Sequence, residues 1–464
     1  ADEIEDAGLR RVLNSRSHPE LRAVVKAHRS RKVLYSPDRL VLENVSVAIA
    51  DGRIVGILPT DEALLSFEAG AVVDRPGHVL VPGFVNAHTH AAMTLMRGLA
   101  DDLPLNRWLK EAVWPVEARW VGAEMVRDGT RLAIAEMLLS GSTCFSDQYY
   151  FPEIVAETAA GMHIRAVVGT PVTEYATAWA ATPAECLAKG AELVHDPFAE
   201  HPLVSTCFAP HSALTVADST FADLKVLADQ LDKPIQMHLH ESLDEIETSV
   251  AECGRRPLQR LEDLGMVNSS LLAVHAVHVN DAEIQLLAES GVGVAHCPRS
   301  NLKLADGIAA AQDFLDAGIT VGLGTDGAAS NNVLDMPGEM RAAALLAKAR
   351  AGRAEALPAA GALRMATLDG AAALGIDSVT GSIELGKWAD LACIDLMHVN
   401  SQPVYDPVSQ VVYTVQPHQV QDVWVAGRHQ VEGGRLTLID TQEILHRASE
   451  WRQRMSSGED KINK

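Results

Sequence analysis

Short apolar runs alternate with amphipathic stretches from about residue 79 to residue 376. Each run has the length of a buried strand, while the stretches between them repeat their apolar residues at the spacing of a helix face. Eight runs are strand-like: His78–Asn86, Gly141–Ser146, Ile164–Gly169, Leu203–Ala209, Pro234–His240, Leu271–His275, Val292–His296 and Thr320–Gly324. Five stretches are helix-like: Val121–Leu139, Thr220–Leu231, Leu243–Leu264, Asp281–Glu289 and Gly307–Leu315. This alternation predicts an α/β protein with a parallel (β/α)8 barrel of the TIM type.

Both ends of the chain carry β-rich runs instead. Upstream, Val45–Ile49 and Arg53–Leu58 are separated by Asp51-Gly52, a strong hairpin signal. Downstream, four runs have strand character: Ala389–Ile394, Gln410–Val415, Val420–Val425 and Arg435–Ile439. The pattern predicts one small sheet domain from residues 33–78 and 384–440, flanking a barrel over 79–383. We expect residues 1–32 to be a peripheral, largely helical N-terminal extension, and 441–464 to be a C-terminal helix and tail.

Charge and cysteine content narrow the class of protein. The formal net charge of -22 argues against a nucleic-acid or anionic-membrane partner, because both bind clustered positive charge. The six cysteines are scattered without a CxxC pair, as expected of free thiols in a reducing compartment. No apolar run is long enough to span a membrane, and the N-terminal stretch has no secretory signal pattern. A cytoplasmic protein is the expectation.

Histidine and aspartate stand at the ends of the predicted barrel strands. The first strand ends in His88 and His90, whose side chains point to the same side of an extended strand. Later strands end in five further residues of this kind: His211, His238, His275, His296 and Asp326. Because the carboxyl ends of barrel strands share one face, these groups are expected to converge on one site.

These strand ends resemble those of the amidohydrolase superfamily. The most specific segments are Pro82–Arg97, Gly98–Leu109, Trp114–Glu117, His238–Glu241, His296–Leu304 and Gly324–Asn332. Within the superfamily the chain is most similar to the group of 5′-methylthioadenosine/S-adenosylhomocysteine deaminases and triazine hydrolases. That resemblance covers about Val41 to Ile439. It implies that the small domain is a β-sandwich. We also expect a homo-oligomer, a dimer or tetramer.

The resemblance implies a metal site of His88, His90, His238 and Asp326. Three imidazoles and one carboxylate suit Zn²⁺ or Fe²⁺ and leave a position for water. Members with two metals carry a lysine at the end of strand four, and Thr206–His211 contains none. One divalent metal ion per chain is therefore expected, most readily Zn²⁺.

The same resemblance assigns the remaining roles. Asp326 would accept a proton from the water, His275 would orient that water, and Glu241 would protonate the ring nitrogen of the substrate. Four residues would contact the substrate: Glu117 at the ribose hydroxyls, His211 at the purine and sugar, and also Trp108 and Trp179. The loop after strand three, residues 170–182, has no arginine for an amino-acid carboxylate, which favours 5′-methylthioadenosine over S-adenosylhomocysteine.

Two other functions stay open at this point. The same groups could hydrolyse another N-heterocycle, such as a guanine-like base or a chlorotriazine, because fold does not determine substrate. The protein could instead have a non-enzymatic function, as a metal-free scaffold or binding protein. Against this, a residue able to bind metal stands at every expected ligand position. His240 and His278 alternate with better candidates and are expected to be structural, while His296 could orient the site or lie behind it.

Overall fold

The structure is a computed structural model that describes residues 26–36 and 39–459. Its strands are β1 (Lys26–Ser36), β2 (Arg39–Ala50), β3 (Arg53–Pro59), β4 (Ala71–Pro82), β5 (Phe84–Thr89), β6 (Ser142–Gln148), β7 (Arg165–Val172), β8 (Val204–Pro210), β9 (Ile235–Leu239), β10 (Leu271–His275), β11 (Gly293–His296), β12 (Val321–Leu323), β13 (Leu391–Asp395), β14 (Val420–Val425), β15 (Arg428–Glu432) and β16 (Arg435–Leu436).

The α-helices are α1 (Thr60–Ser66), α2 (Leu105–Arg107), α3 (Trp114–Trp120), α4 (Ala123–Leu139), α5 (Pro152–Met162), α6 (Pro183–Gly190), α7 (Asp218–Leu231), α8 (Leu243–Cys253), α9 (Pro257–Asp263), α10 (Asp281–Glu289), α11 (Pro298–Lys303), α12 (Ala311–Asp316), α13 (Ala328–Asn331), α14 (Met336–Ala351), α15 (Ala359–Met365), α16 (Leu368–Ala373), α17 (Pro407–Tyr413) and α18 (Thr441–Glu459). Short 3₁₀ and π-helical turns complete the helical segments: Ala91–Met96, Trp108–Val113, Ala191–His195, Val399–Ser401 and Pro417–Gln419.

Eight parallel strands, β5 to β12, pair in sequence order and form the predicted barrel. The backbone N–H of Asp326 donates to the carbonyl of His88 at 3.0 Å, which joins the last strand end to the first. Helices such as α4, α5 and α7 cover the outside, and their buried faces join the strands in the main core. The (β/α)8 prediction is confirmed.

The run His78–Asn86 is divided between two sheets rather than forming one barrel strand. Gly83 separates β4, which belongs to the small domain, from β5. A Cβ at residue 83 would lie 2.2 Å from the side chain of Thr143, so only glycine fits where the chain crosses into the barrel. The sequence pattern missed this break because apolar residues continue on both sides of it.

The small domain is one hydrogen-bonded sheet from both ends of the chain, ordered β16-β15-β14-β13-β4-β1-β2-β3. Its pairs are antiparallel except for β1 with β4. Asp51 and Gly52 both have positive φ in the turn between β2 and β3, as the Asp-Gly signal predicted. A separate apolar core, with Val47, Ile54 and Trp424 among its members, lies under this sheet.

Three local expectations were wrong. Residues 26–30 belong to strand β1 rather than a helix, since they pair with both β2 and β4. Residues 1–25 of the expected extension lie outside the described part. The run Gln410–Val415 falls largely in helix α17, because Asp406 accepts the N–H of Val408 at 2.9 Å and Pro407 starts the helix. Leu243–Leu264 forms two helices, separated at Gly254, which has a φ of 71°.

The C-terminal helix is present as α18 and packs on α4. The indole N–H of Trp451 donates to Asp128 at 2.8 Å, and Arg447 bonds the same carboxylate. Among the described helices, none has the length and apolar content required to cross a lipid bilayer.

Candidate active site

Four side chains meet at the carboxyl end of the barrel, as the strand-end pattern predicted. The rings of His88, His90 and His238 are 4.8 to 5.3 Å apart between centroids. Oδ1 of Asp326 lies 3.2 Å from Nε2 of His90 and 3.6 Å from Nε2 of His88. The structure therefore brings together all four residues expected to bind a metal.

Backbone carbonyls orient two of these imidazoles. Nδ1 of His90 lies 2.5 Å from the carbonyl oxygen of Gln148, and Nδ1 of His238 lies 2.8 Å from that of His211. A carbonyl can only accept, so each Nδ1 donates a proton and each Nε2 is turned towards the centre of the cluster. A metal ion bound there would take the lone pairs of both Nε2 atoms.

Buried polar atoms without partners mark the place for a cation. Both ring nitrogens of His88 and Oδ1 of Asp326 are buried and lack a hydrogen-bond partner among the described residues. Such atoms are costly unless something binds them. Two triads with mutually close donor atoms share His88: one adds His90 and Asp326, the other His238 and His275. The nitrogen and carboxylate donors fit Zn²⁺.

Glu241 and Asp326 are two buried carboxyl groups with opposite pKa shifts. Burial, together with the negative charge of Asp326, raises the pKa of Glu241 to about 8. Burial alone would raise the pKa of Asp326 too, but the neighbouring imidazoles of His88 and His90 hold it well below its usual range. One cavity thus carries a carboxyl that is protonated at neutral pH and a second that is ionised, as an acid and a base in one site require.

His275 lies between these groups. Its Nε2 is 3.5 Å from Oε1 of Glu241, and its ring stacks on His238 at 5.5 Å. Its Nδ1 is 2.8 Å from Oδ1 of Asn301, which fixes the orientation of the ring.

A cavity of about 100 Å³ opens above this cluster. His90, His238, Glu241, His275 and Asp326 line its floor, and the walls include three of the expected substrate contacts: Trp108, Glu117 and His211.

Glu117 faces the cavity and is held by a tyrosine. The hydroxyl of Tyr149 donates to Oε1 of Glu117 at 2.7 Å. Arg97 lies elsewhere and bonds Glu136 and the carbonyl of Asn332. Burial raises the pKa of Glu117.

Trp179 is not among the residues that line the cavity, which corrects its expected role. Its indole N–H donates to Glu153 at 3.1 Å, on the outer side of the loop after β7. The same loop presents Tyr175 to the cavity instead, and Trp114 of α3 lines it from the other side.

A groove of about 400 Å³ continues outward from the cavity, and we call it the outer groove. Its lining is almost entirely uncharged: Trp114, Ala118, Val121, Tyr150, Tyr175, Ala176, Thr177 and Ala178, with Glu117 at the junction. None of the described residues that line the outer groove is cationic.

Comparisons with known proteins identify the family of this chain. Residues 79–429 match the model of the amidohydrolase family. The chain belongs to the amidohydrolase family. This amidohydrolase is 46% identical to 5-methylthioadenosine/S-adenosylhomocysteine deaminase of Teredinibacter turnerae. The match covers 91% of this chain and 95% of that one. The corresponding enzyme of Aquifex aeolicus is 37% identical over 89% of this chain and 94% of that one.

Solved structures extend the similarity to three dimensions. An adenosine deaminase from Xanthomonas campestris with bound zinc is 47% identical, covering 93% of this chain and 98% of that one, with a TM-score of 0.91. Atrazine chlorohydrolase from Arthrobacter aurescens, complexed with zinc, is 26% identical, covers 92% and 99%, and has a TM-score of 0.85.

Several residues of the amidohydrolase site were not predicted individually. Asn301, Ser300 and Ser330 lie in segments that carry the family resemblance, but serine and asparagine give no chemical signal of their own. Tyr149 and Trp114 are aromatic residues whose cavity-facing side the sequence pattern does not determine.

The other strand-end histidines lie behind the site. Nε2 of His240 accepts the backbone N–H of Leu258 at 3.1 Å, the structural role that was expected. His296 is buried and does not line the cavity.

Proposed function

We propose that this amidohydrolase is a metal-dependent hydrolytic deaminase of adenosine-type nucleosides that prefers 5′-methylthioadenosine, yielding 5′-methylthioinosine and ammonia. The observation that carries the proposal is the pairing of a protonated Glu241 with an ionised Asp326 beside three converging imidazoles. The names of the relatives, which are deaminases of this nucleoside, support the same reaction.

His88, His90, His238 and Asp326 would hold one divalent ion, with Zn²⁺ favoured by the zinc-bound neighbours and Fe²⁺ compatible with the same donors. When bound, such an ion supplies Lewis acidity that brings the pKa of a water molecule to about 7. A second metal has little support, because β8 ends in Thr206–His211 without a lysine.

Glu241 provides the acid. Its pKa of about 8 keeps the carboxyl protonated at neutral pH, and it lines the cavity floor where a purine ring would lie. It can therefore donate a proton to N1 of adenine, which makes C6 more susceptible to attack by water.

Asp326 provides the base. Its low pKa keeps the carboxylate ionised, and Oδ1 has no protein donor among the described residues. It can accept the proton that water loses, which then passes to the departing ammonia. His275, held by Asn301, lines the same cavity and would orient the attacking water.

Glu117 would select nucleosides over free bases. The hydroxyl of Tyr149 donates a hydrogen bond to Oε1 of Glu117, and among the described residues no group donates to Oε2. A carboxylate in this position can accept hydrogen bonds from ribose hydroxyls, with His211 beside it.

The outer groove would receive the group on the 5′ carbon. Its aromatic and small side chains suit an apolar methylthio group, whereas an amino-acid carboxylate would find no cation there. The preference for methylthioadenosine over S-adenosylhomocysteine follows from this composition.

Ammonia release from a panel of substrates tests the proposal. The panel contains methylthioadenosine, adenosine, S-adenosylhomocysteine, guanine and a chlorotriazine, and Glu241→Gln protein purified in parallel measures contaminating activity. We expect the highest kcat/KM on methylthioadenosine. Preferential turnover of guanine or the chlorotriazine would instead favour the other N-heterocycle function, and no turnover of any substrate would favour a binding protein.

Two further properties belong to the proposal. The protein would be cytoplasmic, in keeping with six free cysteines of which five are buried. It would also form a homo-oligomer, in keeping with the exposed apolar residues Met397, Val399 and Tyr405. Light scattering on the purified protein measures the mass of the assembly and would contradict this second property by finding a monomer.

A further inference from the structure

Two serine hydroxyls converge on one oxygen of Asp326. The hydroxyl of Ser300 donates to Oδ2 of Asp326 at 2.6 Å, and the hydroxyl of Ser330 donates to the same atom at 2.6 Å. Both serines are buried. Distances of this size are typical of hydrogen bonds between a hydroxyl and an ionised carboxylate.

The two bonds make the carboxylate oxygens unequal. A carboxylate oxygen has two lone pairs, and the serines occupy both of those on Oδ2. Oδ1 has no hydrogen-bond donor among the described residues and faces the imidazoles of His88 and His90. Rotation of the carboxylate away from this orientation would break both serine bonds.

The serines come from two separate segments. Ser300 lies on α11, which follows strand β11, and Ser330 lies on α13, which follows β12. Each is followed by an asparagine that also holds the site: Asn301 bonds His275, and Asn331 donates to the carbonyl of Thr325 at 2.7 Å. The paired Ser-Asn segments thus support the carboxylate from two sides.

We propose that Ser300 and Ser330 are positioning residues that keep Oδ2 of Asp326 engaged, so that Oδ1 alone is presented to a metal ion. This rests on the proposed function in assuming that Asp326 is a ligand. The proposed role acts through the carboxylate: Ser300 does not line the cavity, and Ser330 lines it beside Asp326.

The two serines are not equivalent. Among the described residues, the hydroxyl of Ser300 donates to Asp326 alone, whereas the single proton of Ser330 is shared with the carbonyl of Gly327 at 3.0 Å. Loss of the Ser300 hydroxyl should therefore have the larger effect. Loss of both should exceed either alone, because Oδ2 would then be buried without a donor.

The test uses Ser300→Ala, Ser330→Ala and the double variant. Ser140→Ala is the control, since it also removes a buried hydroxyl, one bonded to the carbonyls of Met137 and Leu334. Zn²⁺ affinity is measured by chelator competition, and the visible absorption of Co²⁺-loaded protein reports the ligand arrangement. Steady-state kinetics at saturating metal separate kcat from KM.

We expect Ser300→Ala to weaken Zn²⁺ binding by about 10- to 100-fold, the usual effect of removing a group that holds a metal ligand. The Co²⁺ spectrum should change and kcat should fall with little change in KM, while Ser300→Thr restores the affinity and Ser140→Ala binds like the unaltered protein. If Ser300→Thr does not fold, the Zn²⁺ affinities of the alanine variants still test the proposal.

Unaltered Zn²⁺ affinity and an unaltered Co²⁺ spectrum in the double variant would overturn the proposal, whatever its thermal stability. The binding measurements need no substrate. A protein that requires the serines for metal but releases no ammonia from nucleosides would thus refute the proposed function and support the positioning role.

Discussion

Replacing Glu117 with alanine separates a nucleoside enzyme from one that acts on free bases or triazines. The structure places this carboxylate in the cavity wall with Oε1 bonded to Tyr149 at 2.7 Å. One or two ribose hydroxyls would then bond the remaining acceptor sites. Hydrogen bonds to a charged group contribute about 1.5–3 kcal/mol each. Loss of one such bond corresponds to a roughly 10- to 150-fold decrease in kcat/KM.

A matched variant tests how Glu117 is held. Tyr149→Phe removes only the hydroxyl that fixes the carboxylate and should decrease kcat/KM by about tenfold or less, the scale of a single hydrogen bond. Both variants are assayed for ammonia release from methylthioadenosine and from adenine, which lacks ribose. We expect the loss to be confined to the ribosylated substrate. Equal losses on both substrates would refute the ribose-binding role and leave Glu117 as a structural group.

Three other predictions follow from the site and from the small domain. Glu241→Gln keeps the shape of the side chain but removes the acid, so kcat should fall by a factor of about 10²–10⁴. The metal content, measured by elemental analysis, should be unchanged. Loss of metal in this variant would instead show that Glu241 has a structural role. The kcat/KM for methylthioadenosine should exceed that for S-adenosylhomocysteine by about tenfold or more, because the amino-acid carboxylate of S-adenosylhomocysteine would be unpaired in the outer groove. Equal kcat/KM values for the two substrates would contradict this and require a cation in the outer groove. Asp422→Asn should reduce the free energy of unfolding at pH 7 by about 2 kcal/mol. Burial alone would raise the pKa of Asp422, but bonds from His429 and Arg75 lower it to about 2, so its stabilisation is complete above about pH 4 and lost as pH falls towards 2. Urea denaturation of both proteins at pH 7 and pH 3 measures the loss of unfolding free energy. An equal loss at the two pH values would contradict the role of the Asp422 carboxylate.

Much of the barrel could be predicted from the sequence because its strands are buried on both faces. Leu271–His275 is both the predicted run and the observed strand β10. Continuous apolar runs bounded by polar residues give a strong signal, and their regular alternation with helices determines the topology. The same continuity concealed the break at Gly83, where the reason for glycine is contact with Thr143, a residue far along the chain.

Elements at the periphery were less predictable, because tertiary contacts outweigh local preference there. Gln410–Val415 contains β-branched residues, yet the cap from Asp406 and the proline after it start a helix. Strand β1 is held by pairing with β2 and β4, and β4 lies about 45 residues away along the chain.

The ionisable residues of the site could be predicted from the sequence, but the residues that hydrogen-bond to them and hold them in place could not. Histidine and aspartate at strand ends indicate chemistry by their side chains alone, and all of His88, His90, His238 and Asp326 converge. Asn301 and the two serines become significant only through distances to His275 and Asp326. Trp179 does not line the cavity because its buried indole bonds Glu153 of α5, whereas Tyr175 of the same loop lines the cavity, a choice that the sequence does not reveal.

The most direct test of the central claim is ammonia release from methylthioadenosine by one preparation in three states: as purified, stripped with a chelator, and reloaded with Zn²⁺. Elemental analysis of each state counts the metal per chain, and circular dichroism confirms that the stripped protein stays folded. We expect close to one metal ion per chain as purified, no turnover when stripped, and restored turnover after one equivalent of Zn²⁺. Full turnover by folded protein with no detectable metal would contradict the account.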